Sequence, residues 1–224
     1  MATQLDLQEQ EQLDALKAFW KTYGNLVTWL LIAVLAAYAG WNGWNWYQRD
    51  QATKAGAMFD ELERAALAGD ADKTGRIFGD LKERFPRTAF AQQGGLTAAR
   101  LQFDKGQIDA AKASLVWLST NALEDEARSI ARLRLAGLLF DAKQYDEALK
   151  QIDAATASGF EALAADRRGD VLAALGKKPE AIAAYQMAWK LMDEKVDYRR
   201  LIDAKLTALA APPPAAAAAS GAAP

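Results

Sequence analysis

The chain has 224 residues, 51% of them hydrophobic, with 27 basic against 29 acidic side chains and a net charge of −2. It has no Cys and no His, which removes Cys/His zinc sites, Ser-His-Asp triads, thiol chemistry and disulfides. From Arg49 onward acids and bases balance, and a body without a basic patch argues against nucleic acid as a partner.

The N-terminal segment, 1–21, holds a Gln/Glu run and then Leu13, Leu16 and Trp20, which share one helical face. That face suits either a docking helix or a simple lead into the apolar stretch beyond it. No charge occurs between Lys21 and Arg49, and Leu26 to Trp46 is predominantly apolar. At about 1.5 Å per residue this stretch spans roughly 31 Å, matching a bilayer core of about 30 Å. Five of the seven tryptophans fall between Trp20 and Trp46, as expected of interface belts. Ala37-Tyr38-Ala39 has the form of a cleavage site, but the preceding segment is long and acidic and the apolar run continues past it. The segment therefore reads as an uncleaved anchor. The flanking charges do not decide its orientation.

Beyond the anchor, abundant alanine and scarce Gly and Pro favour helix throughout. Gln48 to Ala68 predicts a helix that can continue directly from the anchor. Further helices are expected over about 72–85, 89–105, 108–119, 124–142, 145–157, 161–175, 179–193 and 198–209, separated by short breaks such as Gly106-Gln107 and Gly176-Lys177-Lys178. Turns this short imply antiparallel helical hairpins.

The hairpins repeat. The clearest unit has Gly169, Leu172, Leu175-Gly176, Glu180-Ala181-Ile182, Ala184-Tyr185 and Ala188. It resembles a tetratricopeptide repeat (TPR), with Gly169 and Ala181 at the small positions where paired helices cross, and Tyr185 and Ala188 at the later large and small positions. A second unit has Ala136 as the counterpart of Gly169 and Ala148 as the counterpart of Ala181. Both pairs are offset by the same distance, close to the TPR period of about 34 residues. A third, weaker unit runs from Ala99 through Leu118, and a possible fourth ends at Pro86. The fold expected is all-α: one N-terminal transmembrane helix followed by a TPR-like α-solenoid, whose concave face can hold a peptide or a partner helix. The expected organisation is a short tail with an amphipathic segment (1–21), an anchor (22–48), a TPR-like helical domain (49–210) and a disordered Pro/Ala-rich tail (211–224).

No catalytic, cofactor or metal site is expected. Asp166-Arg167-Arg168 and Asp170 can be read as a peptide clamp or, more simply, as a solvated face with neighbouring ion pairs, and the same holds for Arg199 and Arg200. Carboxylate pairs such as Glu124 and Glu126 lack a surrounding polar constellation.

The order of parts carries a further resemblance. Glu11 to Trp20 precedes one span, Gly40-Trp41 and Trp44 close it, and the repeats come after it with Asp166-Arg-Arg-Gly169-Asp-Val-Leu172 and Ala184-Tyr185 to Ala188-Trp189. This arrangement resembles the YfgM family of ancillary SecYEG translocon subunits. The resemblance implies an inner-membrane protein with a cytoplasmic N-terminal tail and a periplasmic TPR-like domain. It implies association with the SecYEG translocon and with a PpiD-type periplasmic chaperone, and a non-enzymatic role assisting exported client proteins as they emerge. The competing reading is a membrane-tethered scaffold for envelope or cell-division complexes. The family's link to a cytoplasmic response regulator is not carried over here, because this sequence departs from the family by its acidic Gln/Glu start and its C-terminal Pro/Ala tail.

Overall fold

A computed structural model describes residues 7–211, with side chains from residue 11 onward. Residues 1–6 and the Pro/Ala tail from Pro212 lie outside the described residues. The chain divides into two units, residues 1–51 and 52–224.

Nine helices occupy the described residues. Helix α1 covers Leu7–Leu67, α2 Ala71–Arg84, α3 Ala89–Asp104, α4 Ile108–Asn121, α5 Asp125–Asp141, α6 Tyr145–Asp153, α7 Glu161–Ala174, α8 Lys178–Leu191 and α9 Tyr198–Ala208. No strand occurs among the described residues. The anchor and the helix expected after it are thus one element, since no proline interrupts the chain between them. Helix α6 is shorter than expected. It ends at Asp153, and residues 154–160 form a connector that the sequence pattern reads as helix up to Ala157.

In the first unit, α1 is long and apolar enough to cross a membrane. Leu26 and Trp46 are exposed, as are most of the large apolar side chains between them, so this stretch has no protein core to cover it. A segment of this length whose apolar surface finds no protein partner fits a membrane anchor.

In the second unit the helices pair in chain order. The end of α1 (residues 52–67) packs with α2, then α3 with α4, α5 with α6 and α7 with α8, and α9 packs on α8. Each pairing buries small residues: Ala55 and Ala65, Ala98 and Ala111, Ala136 and Ala148, Ala181 and Ala188. Three apolar clusters succeed one another along the stack. Trp117 packs against both the first and the second, with its ring edge-on to Phe78 at 5.5 Å. The third, around Tyr185, Ala188, Ile202 and Leu206, closes the C-terminal end under α9.

The turn inside each hairpin is the same device used four times. The chain leaves the first helix through a residue of positive φ: Gly69 (72°), Gly106 (75°), Lys143 (59°) and Gly176 (74°). The next amide then reaches back to a carbonyl in the closing turns of that helix, Asp70 to Ala65 at 3.0 Å, Gln107 to Gln102 at 2.8 Å, Gln144 to Leu139 at 2.8 Å and Lys177 to Leu172 at 2.9 Å. This helix end satisfies otherwise orphaned carbonyls and needs a left-handed residue. Three turns have glycine there. The third uses Lys143, whose Cβ makes that conformation costly by about 1–2 kcal/mol. Side chains cap the starts of α3 and α5. Thr88 accepts from Ala91 N–H, and the Gln92 side chain accepts from the Leu123 and Glu124 amides at the start of α5.

Replacing Lys143 with Gly should therefore stabilise the helical body by about 0.5–1 kcal/mol, while Gly176→Ala should cost about 1 kcal/mol. Urea unfolding followed by far-UV circular dichroism measures both, and equal midpoints for Lys143→Gly and the parent chain would contradict the strain at that turn.

Candidate binding groove

The first helices of successive pairs, α3, α5 and α7, line a groove of about 620 Å³. Its floor is apolar, with Ala99, Leu115, Ala136, Ile152 and Val171 buried beneath it. Phe103, Leu133, Leu138 and Phe140 rise along its walls. Phe103 is 47% exposed, so a large ring stands at the groove without a protein cover.

Charged residues at the groove come chiefly from equivalent helices. Arg100 lies on α3, Arg134 on α5 and Arg167 on α7. They are spaced by the repeat period of about 34 residues, so the repeat that stacks the helices also stacks the guanidinium groups. Arg100 lies 3.9 Å from Asp104 on an exposed turn, and Arg167 lies 3.8 Å from Asp170. Arg134 makes no hydrogen bond or ion pair with any described residue. Its side chain stays exposed, and partial desolvation at the groove, followed by the Arg100 charge, holds its pKa below the ordinary arginine value. It remains charged at neutral pH, because an arginine gives up its proton only far above that range. The carboxylates at the groove are Asp141 and Asp170.

Asp170 is already engaged. At the C-terminal edge of the groove, Lys205 Nζ on α9 binds Asp170 at 2.7 Å and Asp166 at 2.8 and 2.9 Å. Tyr185 donates to Asp170 at 2.8 Å, and Tyr198 donates to Asp166 at 2.7 Å. Asp166 is fully buried. A carboxylate removed from water needs compensating charge and donors, and here one lysine and one phenol supply them. Desolvation, with the hydrogen bond to Asp166 as the next cause, pushes the Tyr198 phenol up to about 12. Tyr185 is shifted upward too, by desolvation and then its bond to Asp170.

This arrangement corrects the reading of Asp166-Arg167-Arg168 and Asp170 as a solvated face. Asp166 is interior, because α9 folds over α7 and brings in Lys205 from far along the chain. Only Arg167 and Arg168 stay exposed, and Arg168 pairs with Asp153. Arg199 is likewise not simply solvated. It stacks on Trp189, 4.0 Å from the ring centroid, and pairs with Glu194 at 3.1 Å. Arg200 is solvent-exposed, as expected.

The six repeat positions singled out by sequence lie in the interior: Ala136, Ala148, Gly169, Ala181, Tyr185 and Ala188 are all buried. Gly169 backs directly onto the Tyr185 ring, where an added Cβ would sit 2.5 Å from two ring carbons. Of the six, only Ala136 also lines the groove. Sequence reasoning missed the arginine ladder. The signal was present, since the three arginines keep the same period as the alanines, but in sequence alone they look like any arginines on a solvated helix face.

Lys205→Met should leave Asp166 buried without its counter-charge and cost about 3 kcal/mol, read as a lower urea midpoint. Its far-UV spectrum should keep the helix content of α1 to α6. Alkaline titration gives a second check. The folded pKa of Tyr198 is raised above the ordinary phenol value of about 10, so its contribution is full below that value and is lost as pH rises through about 12. Tyrosinate absorbance of a Tyr198→Phe variant should lack one transition near pH 12, and the parent chain should lose stability across that window more steeply than the variant.

Residues 17–211 match a family model described as a tetratricopeptide repeat-like domain. A Neisseria gonorrhoeae protein named ancillary SecYEG translocon subunit is 31% identical over 207 residues, covering 91% of this chain and 98% of that protein. Proteins of the same name from Haemophilus influenzae and Escherichia coli are 27% and 29% identical, over 89% and 87% of their lengths and 81% of this chain. Two crystal structures of kinesin light chain TPR-like repeats from Podosopora anserina superpose with TM-scores of 0.53 and 0.54. They cover 70% of this chain and 86% and 85% of theirs, at 13% identity, which is a likeness of fold alone. By matched length and identity, the chain belongs to the tetratricopeptide repeat-like family that includes the ancillary SecYEG translocon subunits.

Proposed function

We propose that this chain is a membrane-anchored, non-enzymatic interaction protein that works beside the SecYEG translocon and assists exported proteins as they emerge. The observation that carries the reading is similarity along nearly the whole length of relatives named for that translocon. The apolar helix supports an anchor near residues 22–48, with residues 1–21 as a cytoplasmic tail and residues 49–210 as a periplasmic body. Such an anchor raises the local concentration of the body near the channel without any added contact. The groove supports a role in binding, because a concave, largely apolar surface bordered by a few charges suits a chain segment. The absence of His and Cys supports a binding role over chemistry. A PpiD-type periplasmic chaperone is the natural second partner, since exported chains need folding help at the same place. The six buried small and aromatic positions, from Ala136 to Ala188, serve in this reading to hold the hairpins in register so that the groove persists.

Photo-crosslinking from Phe103 in intact membranes tests the proposal. Recovery of channel subunits, exported chains or a membrane-anchored chaperone is the expected result. Recovery of wall-synthesis or division proteins alone would overturn it in favour of a scaffold. For the orientation, a reporter fused after Asp193 should be active only outside the cytoplasm.

A further inference from the structure

We propose that residues 212–224 dock against α9 as the second helix of a fifth hairpin, with the Ser220 hydroxyl donating to Asp203. The inference goes beyond the translocon reading and stands without it.

Three observations converge. The first is the end of α9. Ala210 takes a positive φ of 55°, and the Ala211 amide reaches back to the Leu206 carbonyl at 3.0 Å. This is the device that turns the chain inside each of the four hairpins, and Ala210 follows Gly176 by one repeat period of about 34 residues. In those hairpins it sends the chain back along the helix just completed. An alanine adopts this conformation against its own Cβ, so the surrounding structure has to hold it there.

The second observation is an unmet acceptor. Asp203 Oδ1 is buried and has no hydrogen-bond partner among the described residues, a costly state for a carboxylate oxygen. Asp203 stands one period after Gly169, the position where α8 lays the Tyr185 ring against α7. The side of α9 that carries Asp203 is therefore the side a second helix crosses. Arg199, further along that side, is taken by Trp189 and Glu194, while Thr207 is exposed.

The third observation is the sequence of 212–224. Pro213 and Ala215 follow Ala210 at the offsets at which Pro179 and Ala181 follow Gly176, and Pro179 lies in the first turn of α8. A helix start tolerates proline, because the missing N–H is not needed there. Each proline also keeps the residue before it out of the helical region, so the helix begins at Pro214, and the alanines propagate it. The segment carries no charge and one side-chain donor, Ser220. Ser220 stands one period after Gln186, beside the position of Tyr185, and so at the level of Asp203. A helix this short does not hold in water by itself, which is why composition alone reads the segment as a disordered tail. Docking supplies the missing surface, and the covalent link to α9 keeps the segment at high local concentration. A braced α9 in turn holds Lys205 on Asp166 and Asp170 at the edge of the groove.

Cysteine pairs test this in the full-length chain in detergent micelles. The chain has no native Cys, so each introduced pair is the only source of a disulfide. Thr207→Cys with Ala215→Cys stands one period after Ala173 and Ala181, which pack in the same cluster. Ala208→Cys with Ala215→Cys moves the first thiol about 100° round α9. Under mild oxidation the first pair should close within one chain at least about tenfold faster than the second, as docking raises the local concentration at one position only. Equal rates overturn the proposal, since an undocked segment meets both positions alike. Disulfides between chains overturn it in favour of a second copy on α9. Ser220→Ala should lower the urea midpoint of the parent chain and leave that of an Asp203→Ala chain unchanged. The same loss in both backgrounds, or no loss in either, overturns the Ser220–Asp203 contact and the register built on it.

Discussion

Close approach between paired helices is the constraint on which the rest of this body depends. A single helical hairpin cannot bury its own apolar face, so stability comes from stacking one pair on the next. Stacking works only if the helices of each pair cross tightly, and tight crossing needs a small residue at the contact. Gly169 against the Tyr185 ring shows how little space remains. The same need explains the buried alanines of α3 to α8 and the low share of large side chains among core residues. Trp117 bridges two clusters that would otherwise be separate layers.

That constraint generates the groove. When pairs stack with a period of about 34 residues, the first helix of each pair presents the same face at each step. Whatever occupies a given position on that face becomes a row. Alanine, leucine and valine make the floor, and three arginines make a ladder beside it. Nothing in the packing requires those arginines. They project from the stacked face and leave the core untouched.

The C-terminal end shows a different solution. A stack of hairpins exposes the last helix pair, and α9 covers it with Ile202 and Leu206. The same helix delivers Lys205 to the buried Asp166 and to Asp170. Two carboxylates on α7 therefore tie the covering helix to the groove-lining helix, and the two phenols complete their hydrogen bonding. The buried ion pair makes the docking of α9 directional, whereas apolar contact alone would tolerate sliding.

Much of this was legible in the sequence. The uncharged run from Leu26 to Trp46, the hairpin period and the repeat motifs around Gly169 and Ala181 arise from local chemistry: length, hydropathy and turn residues act within a few positions of one another. Two features were not legible. The helix boundary at Asp153 depends on the connector's bonds to α5, where Ala157 N–H donates to Ser129 Oγ and Arg132 reaches the Ala154 carbonyl, so propensity alone extends α6 too far. The interior place of Asp166 depends on Lys205 and Tyr198, which stand two helices further along the chain. Local periodicity determined which residues form helices and which faces are small. Only the tertiary structure decided which charges are buried, because burial of a charge is set by a partner that the fold brings from elsewhere in the chain.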